Sequence, residues 1–250
     1  MSVLVHDEAG VRRLTLHRPE KRNALTQAMY NALAAALDEA AGLPSVRVVL
    51  ITGAADCFTA GNDLADFVAT GDAGAAITFL NALSTFPKPL VAAVNGVAVG
   101  IGTTLLLHCD LAYAGPTARF ALPFVNLGLC PEGASSLLLA QRAGALLAHE
   151  LLRVGEAFDG ATALRAGLVN AVVEDARAVA AQKAALLAAK PPAALVASKA
   201  LLRAPLAQAV AAQMEAEFAR FGALLQGPEA AEATAAFLEK RKPDFSRFLA

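Results

Sequence analysis

Twenty residues from Leu90 to Cys109 carry no formal charge, and few folds accommodate such a run. It is long enough to cross a bilayer. Yet Asn95, His108, two threonines and the glycines 96, 100 and 102 lie inside it, and Gly96 to Gly102 reads as a turn whose peptide groups lipid would leave unsatisfied. The alternative is a strand buried on both faces, Leu90 to Val94, that turns at Asn95-Gly96 and Gly100-Ile101-Gly102 into a helix over TTLLLHCD. The same order occurs upstream. Val46 to Thr52 (VRVVLIT) is a nearly continuous β-branched run that stops at Gly53 and opens into the polar loop GAADCFTAGNDLADF. No membrane span is therefore expected, and an α/β chain is.

The remaining elements follow from local signals. Ser2 to Val5 and Val11 to His17 form a hairpin about Asp7 to Gly10, ended by Pro19. Thr26 caps a helix with Met29, Leu33 and Leu37 on one stripe, stopped at Gly42-Leu43-Pro44. Leu111 to Ala114 and Arg119-Phe120 are short strands, Pro131-Glu132-Gly133 opens a helix through Leu139, Gly160 to Gly167 holds a short helix, and LVNAVV is the last strand. From Asp175 the pattern is helical, with breaks expected at Pro191-Pro192, Pro205 and Pro228. The expected division is an α/β part, 1–190, and a helical region, 191–250.

Several function classes are disfavoured. A net charge of -1 with no long basic run offers polyanions no overall attraction, so nucleic acid is not an expected partner. The three cysteines, 57, 109 and 130, are odd in number and lack C-x-x-C spacing, and the four histidines are scattered, so neither a disulfide framework nor a metal site is expected. The N-terminus MSVLVHDEAGVRRLTL shows no basic stretch followed by a long apolar one, which makes a cytoplasmic location the expectation. At 56% hydrophobic against 17% charged, the chain suits a heavily packed core, Ala-rich helices and large subunit interfaces.

Chemistry has few candidates. From Ala73 to His149 the carboxylates are Asp110 and Glu132. Gly100-Ile101-Gly102 follows a strand as in a dinucleotide fingerprint, but Leu105 stands where a third glycine belongs. Thr52-Gly53-Ala54 also ends a strand as in short-chain dehydrogenases, yet neither tyrosine has a lysine four residues on, and Ser135 lacks a G-x-S-x-G context. Two turns, Ala60 to Leu64 and Gly100 to Gly102, each lead from a buried strand towards a helix. Unpaired N–H groups at two such helix starts can hold an anionic oxygen between them; equally, these are two ordinary loops. Glu132 by itself reads as an acid at the first turn of a helix, favoured there by about 0.3 to 1 kcal/mol. Asp110 reads as a turn or cap residue, and Asp63 and Asp66 as helix-start residues.

The segments HRPEKRNAL, LITGAADCFTAGNDL, KPLVAAVNGVAVGIGTTLLLHCD, ARFALPFVNLGLCPEGASS and AGLVN occur in an order that resembles the crotonase, or enoyl-CoA hydratase/isomerase, superfamily. The resemblance implies a spiral of ββα repeats with a C-terminal helical oligomerisation region, an acyl-CoA thioester substrate, and a homo-oligomer, either a trimer or a dimer of trimers. It implies no cofactor beyond the coenzyme A of the substrate. It places the two backbone oxyanion donors on Asn62 and Ile101, the second commonly glycine in the family. The two hydratase glutamates fall on Thr104 and Phe124, neither of which is a carboxylate. Glu132 falls where peroxisomal-type Δ3,Δ2-enoyl-CoA isomerases carry their catalytic glutamate, and Phe124, Leu127, Leu129 and Phe67 are expected to give it an apolar surround that raises its pKa.

Contacts to substrate and CoA are expected from Arg22, Ala24, Leu25, Ala60, Gly61, Asp63, Leu64, Gly100, Phe124 and Leu127. Lys21, Arg22 and a neighbouring subunit's Lys240 or Lys242 are candidates for the phosphates. An isomerase is the first expectation. The alternatives are a hydratase or other crotonase reaction using non-standard groups, and a non-catalytic acyl-CoA-binding or scaffold protein.

Overall fold

The computed structural model describes residues 2–66 and 71–248. Strands β1 (Val3–Glu8) and β2 (Val11–Leu16) form the expected antiparallel hairpin. β2 turns Arg12, Leu14 and Leu16 inward. The buried Arg12 is matched by Asp7 at 2.8 Å, Glu39 at 2.7 Å and the Ala36 carbonyl at 3.1 Å, as a desolvated guanidinium requires. Helix α1 (Gln27–Gly42) follows, with the Thr26 hydroxyl accepting from the Met29 N–H at 3.3 Å.

β3 (Val48–Gly53) and β4 (Leu90–Val94) are buried at every residue, as their unbroken apolar character anticipates. With β6 (Leu111–Ala114) and β9 (Ala171–Val172) they complete a sheet of order β1-β2-β3-β4-β6-β9, parallel from β2 onward. A second sheet pairs β5 (Val97–Val99) in parallel with β7 (Arg119–Ala121), and β7 antiparallel with β8 (Phe158–Asp159). Isolated parallel bridges, Leu25 with Asn62 and Thr59 with Ala98, extend this layer on its β5 side. β4 is followed by β5 and β6 by β7, each pair laying one strand in the first sheet and a shorter one in the second before a helix. The earlier turns meet the second layer through the bridges at Leu25, Thr59 and Asn62. This is the expected spiral of ββα repeats.

Alternation along β3 divides the core. Val49 and Ile51 join the main core with α1, α2 (Gly74–Thr85) and the second layer. Val48 and Leu50 face the opposite way, with Val91, Ala93 and Tyr113, against α7 (Ala176–Ala188). That helix presents Ala176, Ala180, Ala184 and Ala188 at a spacing of four, which lets its backbone approach the sheet closely.

Several expected elements differ. α2 has no counterpart in the sequence reading. The helix after Gly100 is a short α3 (Ile101–Thr104) continuing as a 3-10 turn over Leu105–His108, and LVNAVV supplies strand only at Ala171–Val172. Helix α4 (Ser135–Ala143) begins three residues later than Glu132, because Gly133 and Ala134 take left-handed φ of 68° and 55°. α5 (Ala145–Arg153) and α6 (Gly160–Arg165) complete this part.

The expected break at Pro205 does not occur. α8 runs unbroken from Pro192 to Leu225, and α9 (Pro228–Leu238) follows. Pro205 is exposed, so water can reach the carbonyl one turn earlier that a proline N–H cannot serve. α8 is long and apolar enough to cross a membrane. It is nevertheless tethered to the core by polar groups: Lys199 donates to Asp110 at 2.7 Å and to the Lys88 carbonyl at 2.6 Å, and Arg203 donates to the His108 carbonyl at 2.6 Å.

Candidate active site

The second layer ends where the Asn62 and Ile101 segments leave it. The Leu25 N–H donates to the Gly61 carbonyl and the Asp63 N–H to the Leu25 carbonyl, both at 2.8 Å. These bonds use the peptide groups flanking Asn62 and leave its own N–H on the other side of the segment. Gly61 has φ 85°, and a Cβ there would stand 2.7 Å from the Val99 carbonyl oxygen, so glycine lets this loop press against β5. Gly100, with φ 55° and ψ -119°, turns the chain from β5 into α3. Ile101 is the first residue of α3, so its N–H is one of those a helix start leaves unpaired.

Asn62 and Ile101 both line one cavity of about 670 Å³. The Asn62 side chain is anchored through Oδ1, which accepts from the Tyr30 hydroxyl of α1. Burial, with the nearby Glu132 and Asp66 charges, keeps that phenol protonated by raising its pKa.

Glu132 enters the same cavity from a tight turn. Its carbonyl accepts from the Ser135 N–H at 3.1 Å across Gly133 and Ala134, and the His108 Nε2–H reaches the Gly133 carbonyl at 2.8 Å. Burial holds His108 down to about 4, so the ring is neutral near pH 7 and Nε2 carries the proton that the carbonyl accepts. Glu132 as a whole is 7% exposed. Oε1 accepts from the Thr104 hydroxyl at 2.5 Å, while Oε2 is buried without a partner among the described residues. Burial pushes its pKa up to about 8; the Thr104 bond pulls it down, and the charge of Glu217 adds to the rise. Because α4 starts at Ser135, the reading of Glu132 as an acid in a helix's first turn does not hold.

The other carboxylate lining the cavity, among the described residues, is Asp63. Its Oδ2 pairs with Arg18 at 2.7 Å and its Oδ1 accepts the N–H groups of Ala65 and Asp66, the helix-start role expected of it. Asp110 lies elsewhere and is structural. Its Oδ2 accepts the Leu90 N–H and the Lys199 ammonium, both at 2.7 Å.

Arg22, Ala24, Ala60, Gly61, Asp63, Leu64, Gly100, Phe124 and Leu127 line the cavity, with Lys21 and Leu129. Leu25 does not: its side chain is buried in the core and its backbone holds the Asn62 segment. Lys240 and Lys242 are exposed and lie outside the lining. Phe67 lies outside the described residues.

Other contributors carry no mark that the sequence reading picks out. Ala76, Ile77 and Leu80 of α2, Phe218 and Phe221 of α8, and Phe237 and Leu238 of α9 supply much of the cavity's apolar lining. The spacing Ala76, Leu80, Leu83 and the spacing Phe218, Phe221, Leu225 carry the helical period that would have revealed the first two groups. Asn23, buried with φ 54°, holds the loop that carries the lining residues Arg22 and Ala24: its amide donates to the carbonyls of Ala54 at 3.0 Å and Cys57 at 2.7 Å.

A family model described as enoyl-CoA hydratase/isomerase matches residues 6–247. The chain is 38% identical over 250 residues to the 2,3-dehydroadipyl-CoA hydratase of Escherichia coli (strain K12), covering 97% of this chain and 98% of that one. It is 39% identical over 179 residues to enoyl-CoA delta isomerase 2 of Rattus norvegicus, covering 68% of this chain and 46% of the rat protein. Among solved structures, an enoyl-CoA hydratase/isomerase from Pseudoalteromonas atlantica T6c superposes with a TM-score of 0.93 at 43% identity, covering 98% of this chain and 100% of that one.

Proposed function

The chain belongs to the enoyl-CoA hydratase/isomerase family and is an acyl-CoA enzyme of the hydratase or isomerase kind; within that range we propose that it is a Δ3,Δ2-enoyl-CoA isomerase working with a single base. The observation that carries this reading is the pairing of Glu132 with Thr104. Where a hydratase would present a second acid, this chain presents a hydroxyl that donates to the one carboxylate available, and Phe124 offers no proton at all.

In the proposed reaction, Glu132 removes a proton from C2 of a 3-enoyl thioester. The C–H electron pair forms a C1–C2 double bond as the carbonyl π pair moves onto oxygen, giving a dienolate with C3–C4 still double and its charge largely on the thioester oxygen. On reprotonation the oxygen pair re-forms the carbonyl, the C1–C2 pair moves to C2–C3 and the C3–C4 pair takes the proton at C4. The N–H groups of Asn62 and Ile101 receive that oxygen, an interaction worth about 10²- to 10³-fold in rate per donor. Glu132 then returns the proton at C4, giving the 2-enoyl thioester with atoms and charge balanced. A base raised to about 8 suits this double duty: it is strong enough to take the C2 proton and acidic enough, once protonated, to give it back. No step calls on a cofactor.

Contacts to CoA are assigned to Arg22, Ala24 and the 60–64 segment, with Lys21 near the phosphates. The exposed leucines of α8, Leu201 and Leu202, are proposed to be covered by further copies of the chain in a trimer or dimer of trimers.

Full-length similarity to a hydratase keeps one other reading in view, addition of water to a 2-enoyl thioester. The experiment that separates them compares isomerisation of 3-hexenoyl-CoA with hydration of crotonyl-CoA. Hydration at rates matching isomerisation would displace the isomerase reading.

A further inference from the structure

Glu217 of α8 does not line the cavity, yet it holds the turn that carries Glu132. Its Oε1 accepts from the Ser136 N–H at 3.1 Å and from the Ser136 hydroxyl; burial raises its pKa, and these bonds, with the Ala134 N–H, offset part of that rise. Gln213, one turn earlier on α8, donates to the Ser136 Oγ at 2.8 Å. The carbonyl of Glu217 accepts from the Cys130 thiol at 3.8 Å. One residue of the C-terminal helix therefore grips the chain on both sides of Glu132.

The turn between those grips has reason to need them. Gly133 and Ala134 both have left-handed φ, and Ala134 is fully buried and is not a glycine, so its Cβ opposes the conformation it holds. From the other side the His108 ring fixes the Gly133 carbonyl. Between the two holds, the Glu132 carboxylate keeps one oxygen on Thr104 and the other unpartnered.

We propose that Glu217 is a positioning residue for proton transfer: by fixing the Gly133-Ala134 turn from α8, it keeps the free oxygen of Glu132 in line with the substrate carbons. The proposal rests on Glu132 being the base. Reacting atoms misplaced by an ångström cost about 10²-fold in rate, so a loosened turn registers in turnover before it registers in substrate binding. The titratable and charged groups around this hold are Glu132 and Cys130 on the turn segment, His108 against the Gly133 carbonyl, Arg220 on α8, and Tyr30 of α1, whose pKa the Glu132 charge raises. Glu132 and Glu217 are the two carboxylates of this region that repel each other.

The test is steady-state isomerisation of 3-octenoyl-CoA by wild type, Glu217→Ala, Glu217→Gln, Ser136→Ala and Glu132→Gln, with pH profiles and thermal melts. Glu217→Ala is expected to lose about 30-fold or more in kcat with KM within about threefold, since the CoA-facing segments are untouched. Glu217→Gln keeps an accepting oxygen for Ser136, so kcat should recover to within about fivefold of wild type. Its rising limb of kcat/KM should move to lower pH, because a like charge beside Glu132 has gone.

A folded Glu217→Ala enzyme with kcat within about threefold of wild type, or a loss residing wholly in KM, overturns the proposal. A Gln variant no better than Ala also overturns it. Should Glu217→Ala fail to fold, the other two variants decide. Ser136→Ala is expected to lower kcat by about threefold or more and Glu217→Gln to shift the limb; both unchanged overturns the proposal. Normal turnover by Glu132→Gln would remove the base reading itself, whereas an inactive Glu132→Gln beside a fully active Glu217→Ala removes the positioning role alone.

Discussion

At the residue scale, Glu132 combines two conditions that oppose each other: burial makes its carboxylate basic, and the Thr104 hydroxyl keeps the ionised form accessible. Activity should follow that balance. With a free-enzyme base near 8, kcat/KM is expected to rise about tenfold per pH unit below that value and level off above it. Thr104→Val removes a bond to the charged form, worth on the order of one pKa unit, so its limb should move to higher pH and its kcat/KM at pH 7 fall about tenfold. Stability should respond with the opposite sign. Folded Glu132 keeps its proton to about 8, where a free glutamate releases it near 4.5, so across that window the folded state binds more protons and wild type loses stability as pH rises. Glutamine cannot ionise. The Tm of Glu132→Gln relative to wild type should therefore climb between pH 5 and 8, and a constant difference would contradict the buried-acid picture.

At the scale of elements, what is legible in the sequence is what repeats a period or needs a special backbone. The strands β3 and β4 are readable because burial on both faces leaves almost no polar residue in the run, Thr52 at the end of β3 being the exception, and the Gly61 and Gly100 turns because glycine marks backbone that other residues resist. The start of α4 was misplaced for a related reason: Pro131-Glu132-Gly133 resembles a helix opening, while the left-handed Ala134 that delays it leaves no mark in residue type. Pro205 shows the opposite error, since a proline break is a local rule and an exposed face of α8 relaxes it. Replacing Pro205 with Ala restores an N–H to that face and should stabilise the protein by roughly 1 to 3 kcal/mol with isomerisation unchanged, read as a rise in denaturant midpoint. A loss of stability would mean that the proline serves a contact this fold does not explain.

At the scale of the molecule, the site is assembled from chain segments far apart in sequence. Asn62, Ile101 and Glu132 can be picked out one by one, but Tyr30 behind Asn62, His108 behind Gly133 and Glu217 behind Ser136 acquire meaning through tertiary packing that no spacing encodes. The same holds for assembly. Leu201 is 75% exposed and Leu202 is 82% exposed on α8, so sedimentation is expected to report a trimer or a pair of trimers, and Leu202→Asp to shift it towards smaller species; a monomeric wild type would leave that face without an occupant. The most direct measurement is conversion of 3-octenoyl-CoA to its 2-enoyl isomer by wild type and by Glu132→Gln, followed as the appearance of the conjugated thioester. Wild type should convert it and the variant should lose about 10²- to 10⁴-fold, with crotonyl-CoA hydration at trace level in both. Isomerisation by Glu132→Gln at the wild-type rate would contradict the single-base mechanism outright.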